Sequence, residues 1–387
     1  MKKKLKIAII FRPDVKIQIP TLGGMSNFVY FLSQGLKNKG HNVAVFASKN
    51  SKLAKGVKLE KCLVNEDSAN IYDAGENFRS VVKKKANNLD DAINMSFGDL
   101  SKRFDYKIEH YLSAFSKVKA ENFDAVHIVS YETVGLYPAL FSTAPSVVSF
   151  HGHYDYYSQE QKRWLQFIKK NNKNLNCQFV AVSKFIQKEY SKFIKTELVY
   201  NAINIKPYKL QKNKKDYIAF LGRIDAKKGL EFTIEFSKKY QVPLVIAGNI
   251  SNKWYFENKV KPYIDGKLIK FIGLVNEKQK NKLLGNAKCF FMPTRYKEAF
   301  GRVIVESLAC GTPVIGFKNG AVPELVIDDK TGFAIKEDDM KGAKKAFDKI
   351  QRIKPEVCRK FVEDNFTIER MVLEYEKLYR KISNYSN

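Results

Sequence analysis

The sequence predicts an α/β protein built from two doubly wound domains. Its 387 residues exceed what a single hydrophobic core ordinarily holds. Short β-rich runs alternate with helical patterns in both halves. A lysine-rich stretch with little secondary-structure signal, residues 205–215, separates the two halves. We therefore place a first domain at residues 1–205, a second at 206–366 and a terminal helix at 367–387.

Apolar runs of four to six residues predict the strands of the first half. They are expected at Lys6 to Phe11, Asn42 to Ala47, Ala125 to Val129, Ser146 to Phe150, Phe179 to Val182 and Leu198 to Tyr200. A helix is expected from about Met25 to Lys39, since Gly40 suits the left-handed residue that follows many helices. Between residues 51 and 120 the pattern is less legible, and we expect a helix over 92–119.

The second half repeats the same alternation. Its strands are expected at Tyr217 to Leu221, Leu244 to Ala247, Ile269 to Ile272, Cys289 to Met292 and Val314 to Gly316. The last segment, Thr367 to Ser386, predicts an amphipathic helix, because apolar residues recur on one face. Those residues are Met371, Leu373, Tyr375, Leu378 and Tyr379.

Cysteine usage and the N-terminal residues indicate a cytoplasmic protein. The five cysteines form no CxxC pair and have no metal-ligand spacing, so we expect reduced thiols in the core. The apolar run that begins at Leu5 is too short for a signal peptide and is interrupted at Arg12, so it predicts a first parallel strand. No segment reaches the ~20 apolar residues of a membrane span.

The most informative segment runs from Pro293 to Pro313. Glycine at 301 and 311 predicts a loop followed by a helix over about 301–310. Glu298 then precedes the helix and Glu306 lies within it. The uncapped amides of Phe300, Gly301 and Arg302 would form an anion site suited to a diphosphate. Without this context, two glutamates eight residues apart are usually a solvated helix face.

The run from residue 293, continued through Leu325, resembles the signature of family 4 glycosyltransferases of the GT-B type. The resemblance implies two Rossmann-like domains that face each other across a cleft, with the last helix crossing back to the first domain. It also implies that Glu298 faces the donor sugar and that Glu306 holds the nucleotide ribose.

Two further segments of the chain fit that resemblance. Leu221 to Lys228 follows a predicted strand, and the resemblance matches Arg223 and Lys228 to a pair that binds the donor diphosphate. The Gly23-Gly24 pair lies between the first strand and the first helix, where a backbone without Cβ can approach a ligand closely. A glycine pair before a helix is also often only a turn.

Three other matches are less specific. His151 matches the active-site histidine that contacts the donor sugar, although His153 competes for this assignment. The segment that ends at Val275 resembles the one whose backbone reads the nucleotide base, and a buried strand with a turn would explain it almost as well. Residues 201–204 resemble an Asn-Gly-x-Asp turn, but Ala202 and Asn204 replace the glycine and the aspartate.

The sequence indicates transfer without a metal or a separate cofactor. No Asp-x-Asp tripeptide occurs, so a bridging Mg²⁺ or Mn²⁺ has no obvious ligands. The only small molecule required would be the nucleotide-diphosphate sugar donor, for which a UDP-sugar is expected. The resemblance implies retention of anomeric configuration, by attack on the face from which the phosphate departs. That phosphate would take the proton of the acceptor.

The net charge of +28 favours a polyanionic partner. We find no zinc knuckle, RNA-binding motif or arginine-rich tail, and therefore expect an anionic membrane surface and a glycan or lipid-linked acceptor rather than nucleic acid. Aromatic and basic residues alternate between Tyr154 and Lys170, as in segments that bind lipid headgroups. A packed helix with a solvated side explains this segment equally, and the composition of the source organism is an alternative explanation for the lysine content.

Together these features predict a cytoplasmic enzyme peripheral to the inner face of the plasma membrane, a retaining hexosyltransferase in polysaccharide or glycolipid synthesis. A nucleotide-sugar epimerase of the same fold is one alternative, and it would give a free sugar without an acceptor. A noncatalytic protein that binds nucleotide sugars or nucleic acid is another. Glu298, Glu306, Arg223 and Lys228 argue against the noncatalytic alternative.

Overall fold

The computed structural model describes residues 3–19, 23–61, 106–129, 135–136, 139, 142, 144–154, 159–171 and 177–384. The chain divides into two compact units. The first contains Met1–Val180, Tyr190–Glu197 and Val372–Asn387, and the second contains Ala181–Glu189 and Leu198–Met371. The chain passes between them within residues 180–198 and again at 371–372, and the predicted domain bounds at 205 and 366 stay predictions.

A seven-stranded sheet forms the centre of the first unit in the part of the chain described. Its strands are β1 (Lys6–Phe11), β2 (Asn42–Ala47), β3 (Lys58–Lys61), β4 (Ala125–Val129), β5 (Ser146–Phe150), β6 (Cys177–Ala181) and β7 (Glu197–Leu198). Their order is β3-β2-β1-β4-β5-β6-β7. β1 pairs in parallel with β2 and β4, so that Ile7 lies opposite both Val43 and Ala125. Since β1 and β4 are not consecutive, the winding direction reverses at β1, where open α/β sheets usually bind ligands.

Helices of the described residues alternate with the strands. They are α1 (Gly24–Asn38), α2 (106–120), α3 (Gln159–Asn171), α4 (Lys184–Tyr190), α5 (Leu230–Tyr240), α6 (Lys253–Tyr255), α7 (Glu277–Asn286), α8 (Arg302–Ala309), α9 (Val322–Leu325), α10 (Met340–Lys349), α11 (Pro355–Asn365) and α12 (Ile368–Asn384). Single turns of 3₁₀ or π-helix occur at Ala226–Lys228, Phe256–Val260, Lys261–Tyr263 and Ile350–Arg352. The predicted helix over 92–119 is helical from 106 onward, and its earlier residues lie outside those described.

The first unit buries a continuous apolar core on both faces of its sheet. Every residue of β4 and β5 is buried, as parallel strands covered by helices require. α1 packs through Phe28 and Leu32, and α12 packs against α1 so closely that a Cβ on Gly35 would lie 2.4 Å from Val372 Cγ2. The terminal helix therefore completes the core of the first unit.

The second unit has a six-stranded sheet within the described residues. Its strands are β8 (Lys215–Leu221), β9 (Leu244–Ala247), β10 (Ile269–Phe271), β11 (Ala287–Met292), β12 (Val314–Phe317) and β13 (Gly332–Ile335). They are ordered β10-β9-β8-β11-β12-β13, and all five neighbouring pairs are parallel. The winding direction reverses at β8, so the loops after β8 and β11 meet at the carboxyl edge of the sheet.

The described cysteines are core side chains, as the sequence predicted. Cys177, Cys289, Cys310 and Cys358 are buried and free. Burial raises the pKa of the Cys310 and Cys358 thiols to about 12, so both are protonated at neutral pH. Cys62 lies outside the described residues.

Candidate functional site

The loops that follow β8 and β11 lie side by side in the second unit. The Arg295 amide donates a hydrogen bond of 2.9 Å to the Lys227 carbonyl oxygen of the other loop. Gly229 permits this approach, because a Cβ at this position would lie 1.9 Å from the Pro293 carbonyl oxygen and its φ is +69°. The loop that carries Arg223 and Lys228 is thereby held against the loop that carries Glu298.

Lys228 and Glu298 form an ion pair at this junction. The Lys228 Nζ donates to Glu298 Oε2 at 3.1 Å and to the Tyr296 hydroxyl at 3.0 Å. It also lies 4.2 Å from the centre of the Tyr296 ring, within the range of a cation–π contact. Both charged side chains are only 13% exposed. The structure therefore brings together Lys228, which was predicted to bind the diphosphate, and Glu298, which was predicted to face the sugar.

A close backbone contact holds Glu298 in place. The Ala321 amide donates to the Glu298 carbonyl oxygen at 2.8 Å. A Cβ on Gly320 would lie 2.3 Å from the backbone nitrogen and oxygen of Glu298, and its φ is +59°. Glycine at 320 is thus needed for the loop after β12 to pack on the Glu298 loop, which explains physically why this part of the signature accompanies Glu298.

Helix α8 begins at Arg302, one residue after the predicted start. Gly301 precedes it with φ +86°, and no side chain caps this end of the helix. Phe300 is buried and its ring centre lies 5.6 Å from that of Phe366, which anchors the chain just before the helix. The first turn consequently has amide donors without helical acceptors, and together with the helix dipole they suit an anion.

Glu306 lies one turn into α8 with its side chain only 5% exposed. Lys280 Nζ from α7 is 3.0 Å from its carboxylate and Arg302 is 3.6 Å away. Tyr208 is next to the same carboxylate. Lys280 Nζ lies 5.4 Å from the centre of its ring, and burial together with the nearby Glu306 raises the pKa of its phenol. Glu306 and Arg302 were predicted from the sequence, whereas Lys280 and Tyr208 were not.

Arg223 and Val275 lie apart from these two clusters. The Arg223 side chain is 60% exposed, and its nearest carboxylate is Asp225 at 3.7 Å. Val275 follows β10 in a turn where Ile272 and Leu274 are exposed. The strand ends at Phe271, so a buried strand does not describe the residues after it. The Gly248 amide donates to the Gly273 carbonyl oxygen at 2.9 Å, which joins this turn to the end of β9.

The remaining predicted residues belong to the first unit. Gly23 is the N-cap residue of α1 and Gly24 is its first residue, with no side-chain cap. The Gly23 carbonyl oxygen accepts from the Asn27 amide and from Asn27 Nδ2. The pair therefore starts a helix at the carboxyl edge of β1, and whether it approaches a ligand stays a prediction.

His151 follows β5 and is joined to a buried chain of polar side chains. Ser149 Oγ is 2.8 Å from His151 Nε2 and 2.9 Å from His127 Nε2 on β4. The Tyr379 hydroxyl of α12 is 2.6 Å from His127 Nδ1. Burial lowers the pKa of His151 to about 3 and that of His127 well below its usual value, so both rings are neutral at physiological pH. The ring of Phe28 lies 4.4 Å from that of His151.

His153 has different surroundings from His151. It is fully buried and its ring stacks on Tyr154 at 4.3 Å between centres, whereas His151 keeps part of its surface exposed. Because His151 is partly exposed and is joined to the buried hydrogen-bonded chain, it is the better candidate of the two histidines for contact with a ligand.

The predicted headgroup segment is largely helix α3. Trp164, Leu165 and Ile168 are buried, as in a packed helix with a solvated side, whereas Phe167 is 41% exposed. Lys169 and Lys170 are exposed in its last turn. Residues 155–158 lie outside the described part of the chain.

Glu324, the last acidic residue of the signature, is bound to backbone. Its two carboxylate oxygens accept from the amides of Lys184 and Phe185 at 2.8 and 2.5 Å, and one also accepts from the Tyr200 hydroxyl at 2.9 Å. This carboxylate therefore caps the N-terminus of α4. In the turn that departs from the signature, Asn204 Oδ1 accepts from the Lys206 amide at 3.2 Å.

Metal clusters and membrane spans are both absent from the described residues. No three His, Cys, Asp or Glu side chains converge there as metal ligands would. No described helix is both long and apolar enough to cross a bilayer.

Comparison with known families accounts for most of the chain. Residues 22–206 match the model described as Glycosyltransferase Family 4, and residues 202–366 match the model described as Glycosyl transferases group 1. An uncharacterized glycosyltransferase of Methanocaldococcus jannaschii is 25% identical over 296 residues, which are 72% of this chain and 81% of that protein.

Solved structures share the whole fold. The sucrose-phosphate synthase of Thermosynechococcus elongatus has a TM-score of 0.74 at 17% identity, covering 98% of this chain and all of that one. The Anabaena protein HepE in complex with UDP has a TM-score of 0.68 at 14% identity, covering 97% and 100%, and it has also been solved with UDP-glucose. The two family matches and these likenesses place the chain among the family 4 glycosyltransferases, with the two-domain, Rossmann-like GT-B fold.

Proposed function

We propose that this protein is a retaining hexosyltransferase that transfers a sugar from a nucleotide-diphosphate donor, a UDP-sugar, to a glycan or lipid-linked acceptor in cell-envelope polysaccharide or glycolipid synthesis. The observation that carries the proposal is the Lys228–Glu298 pair at the carboxyl edge of the second sheet. A cation and a carboxylate, both largely buried and adjacent, suit a ligand that presents phosphate oxygens next to sugar hydroxyls.

The barrier to transfer lies in the charge that develops on the departing nucleoside diphosphate. In the proposed site, Lys228 and Arg223 offset this charge together with the amides of Phe300, Gly301 and Arg302. The amides are already oriented by the start of α8, so they need no rearrangement as the bond to phosphate breaks.

Carboxylates bind the neutral parts of the donor. Glu306 accepts hydrogen bonds from the ribose hydroxyls, and Lys280 and Arg302 hold its carboxylate in place at 3.0 and 3.6 Å. Glu298 accepts from hydroxyls of the transferred sugar. His151 of the first unit is a separate candidate for contact with the donor sugar. The acceptor attacks on the face from which the phosphate leaves, and a phosphate oxygen takes its proton, so no enzymic nucleophile is needed.

HepE, which shares the fold, was solved with UDP and with UDP-glucose, and this supports a uridine nucleotide as donor. The turn that ends at Val275 would present backbone groups to the base. It is held to the end of β9 by the hydrogen bond from the Gly248 amide to the Gly273 carbonyl oxygen, and Gly273 has φ +71°. We assign Val275 to base recognition on this ground. No metal or further cofactor takes part in the proposed reaction.

The acceptor and the membrane surface are proposed from charge. A net charge of +28 with exposed Lys169 and Lys170 on α3 favours an anionic leaflet at the cytoplasmic face. Trp164 is buried and Phe167 is exposed, so contact would combine the charge of these lysines with the Phe167 ring and would not use Trp164. Binding to vesicles should then require anionic lipid and weaken as salt rises, with a screening length of ~8 Å at physiological ionic strength. Equal binding to neutral vesicles would contradict a membrane role.

A donor-by-acceptor screen tests the proposed reaction. Release of nucleoside diphosphate is measured for UDP-sugars and other nucleotide sugars, with and without lipid extract, in buffer and in EDTA. We expect release that needs both donor and acceptor, that survives EDTA and that is lost in Lys228→Met, with the product keeping the donor's anomeric configuration by NMR. Free sugar released without acceptor would instead indicate an epimerase, and restoration only by Mg²⁺ or Mn²⁺ would overturn the metal-independent mechanism.

A further inference from the structure

Four side chains from three parts of the first unit, β4, the end of β5 and α12, form one continuous hydrogen-bonded chain. It runs from the Tyr379 hydroxyl to His127 at 2.6 Å, from His127 to Ser149 at 2.9 Å and from Ser149 to His151 at 2.8 Å. Tyr379, His127 and Ser149 are completely buried, so water does not compete for these groups. His151, at the end of the chain, is partly exposed.

Three arrangements of hydrogens satisfy this geometry, because a neutral imidazole donates from one nitrogen and accepts at the other, whereas a serine hydroxyl donates one hydrogen and can accept two. In the first, Tyr379 donates to His127 Nδ1, His127 Nε2 donates to Ser149, and Ser149 donates to His151 Nε2. In the second, every bond is reversed, so that His151 Nε2 donates to Ser149 and His127 Nδ1 donates to the Tyr379 oxygen. In the third, Tyr379 donates to His127 Nδ1, and His127 Nε2 and His151 Nε2 both donate to Ser149, whose own hydrogen then lies outside the chain.

The three arrangements differ in what they leave unsatisfied. The reversed order frees the hydroxyl hydrogen of Tyr379 and the third frees that of Ser149, and neither hydroxyl makes another hydrogen bond of ordinary geometry among the described residues. A buried donor without a partner is unfavourable, whereas the first order places every hydrogen of the three buried groups in a bond. The first order also determines the tautomer of His151, whose proton must then lie on Nδ1.

We propose that Tyr379, His127 and Ser149 are positioning residues that hold His151 as the Nδ1–H tautomer, so that His151 meets the substrate as a hydrogen-bond donor and not as a base. The available group is the Nδ1–H, which has no partner among the described residues. A neutral N–H donor suits a sugar hydroxyl or ring oxygen. The contact of His151 with substrate rests on the proposed function, whereas the tautomer does not.

Nitrogen NMR of ¹⁵N-histidine-labelled protein reads the tautomer directly. The chain has five histidines, so each can be assigned from single His→Gln variants. We expect the wild-type protein to show His151 protonated on Nδ1 and His127 on Nε2. A wild-type spectrum with His151 protonated on Nε2 overturns the proposal without any variant.

Tyr379→Phe removes the hydroxyl but keeps the ring that packs in the core. The first and the reversed order then become similar in free energy, and the Nε2–H form of His151 should become detectable. Turnover should fall about 10-fold with a smaller change in donor KM, as for one weakened hydrogen bond in the transition state. Tyr375→Phe is the matched control, because Tyr375 is equally buried one turn earlier in α12 and its hydroxyl, although it interacts with Ser149, makes no hydrogen bond of ordinary geometry among the described residues.

The two proposals fail separately. If the wild-type tautomer is as expected but His151→Ala turns over at the wild-type rate, the positioning role stands and the contact with substrate is wrong. If His151→Ala is inactive but Tyr379→Phe changes neither tautomer nor turnover, the contact stands and the positioning role is wrong. An equal effect of Tyr375→Phe would show that packing, and not the Tyr379 hydroxyl, controls His151.

Discussion

The Lys228–Glu298 pair predicts that the two single variants change nucleotide binding in opposite directions. The diphosphate must compete with Glu298 for the ammonium group of Lys228. Glu298→Gln removes the competing charge while keeping the shape of the side chain. We therefore expect this variant to bind the nucleoside diphosphate more tightly than wild type, although it transfers sugar more slowly because Glu298 is assigned to the transferred sugar.

The size of the effect follows from the geometry of the pair. At 3.1 Å and an effective dielectric constant of about 20, the two charges attract by about 5 kcal/mol. Desolvation of two side chains that are each 13% exposed offsets most of this. A hydrogen bond to a charged group contributes about 1.5 kcal/mol at the lower end of its range, which corresponds to about a tenfold gain in affinity for Glu298→Gln.

Lys228→Met should have the opposite effect, with affinity for the diphosphate at least about tenfold weaker and turnover reduced roughly 10²-fold. Isothermal titration with UDP and with uridine separates the diphosphate from the nucleoside, since only UDP should respond to either variant. Glu257→Gln is the matched control, because Glu257 is a surface glutamate of the same unit paired with Lys261 at 2.6 Å. Weaker UDP binding in both variants, or an equal change for uridine, would refute this account of the pair.

Three further variants test other carboxylates. Glu306→Ala should chiefly raise donor KM, by about tenfold with a smaller change in kcat, because a ribose contact is present before and during reaction. Steady-state kinetics measure both constants, and a fall in kcat alone would contradict this role. Glu324→Gln should lower the free energy of unfolding in urea by about 2 kcal/mol through loss of the α4 cap, and unchanged stability would dismiss that cap. Burial raises the pKa of Glu376, but hydrogen bonds from Lys39 and Arg380 outweigh it and lower the pKa to about 2 from 4.5. The stabilisation that Glu376 gives the folded protein is therefore present above pH 4.5 and lost as pH falls through about 2. Glu376→Gln should lower the free energy of unfolding by about 2–3 kcal/mol at pH 7. Denaturation measured at several pH values should also show a weaker dependence on acid in this variant.

Most strands away from the sheet edges were predictable from the sequence. β1, β2, β4, β5 and β9 begin and end at the residues expected from their apolar runs. In a parallel sheet covered by helices, an unbroken apolar run of this length has few other stable placements. The fold class follows from the repeated alternation of such runs with helical patterns.

β3 and β13, the strands at one edge of each sheet, were not predicted from the sequence. β3 has the sequence Lys-Leu-Glu-Lys, and charged residues are tolerated there because an edge strand is less enclosed than a central one. β13 begins with a glycine and has only four residues. Their pairing depends on the neighbouring strand that is already in place, which a local pattern does not contain.

The candidate site was predictable as a set of residues but not as a set of pairs. Both members of the Lys228–Glu298 pair were named, yet their contact depends on the neighbouring positions of β8 and β11 in the sheet. Lys280 was missed because lysine and arginine number 68, so a lysine at any one position has little predictive value. Glu324 lies within the segment that resembles the signature, but its observed contacts are those of a helix cap, which the sequence alone does not indicate.

His127 shows what a sequence can reveal when an apolar strand contains one polar residue. A histidine in the middle of β4 looks like a core side chain, but a fully buried imidazole still needs a partner for each ring nitrogen. β5 follows next in the sheet and contains Ser149, and the terminal helix offers tyrosines at 375 and 379, four residues apart on one face. These requirements narrow the possible partners of His127 to a few residues, of which Tyr379 is one. It follows that the last helix contributes a hydroxyl as well as apolar packing, and that truncating it should alter His151 even where the sheet stays folded.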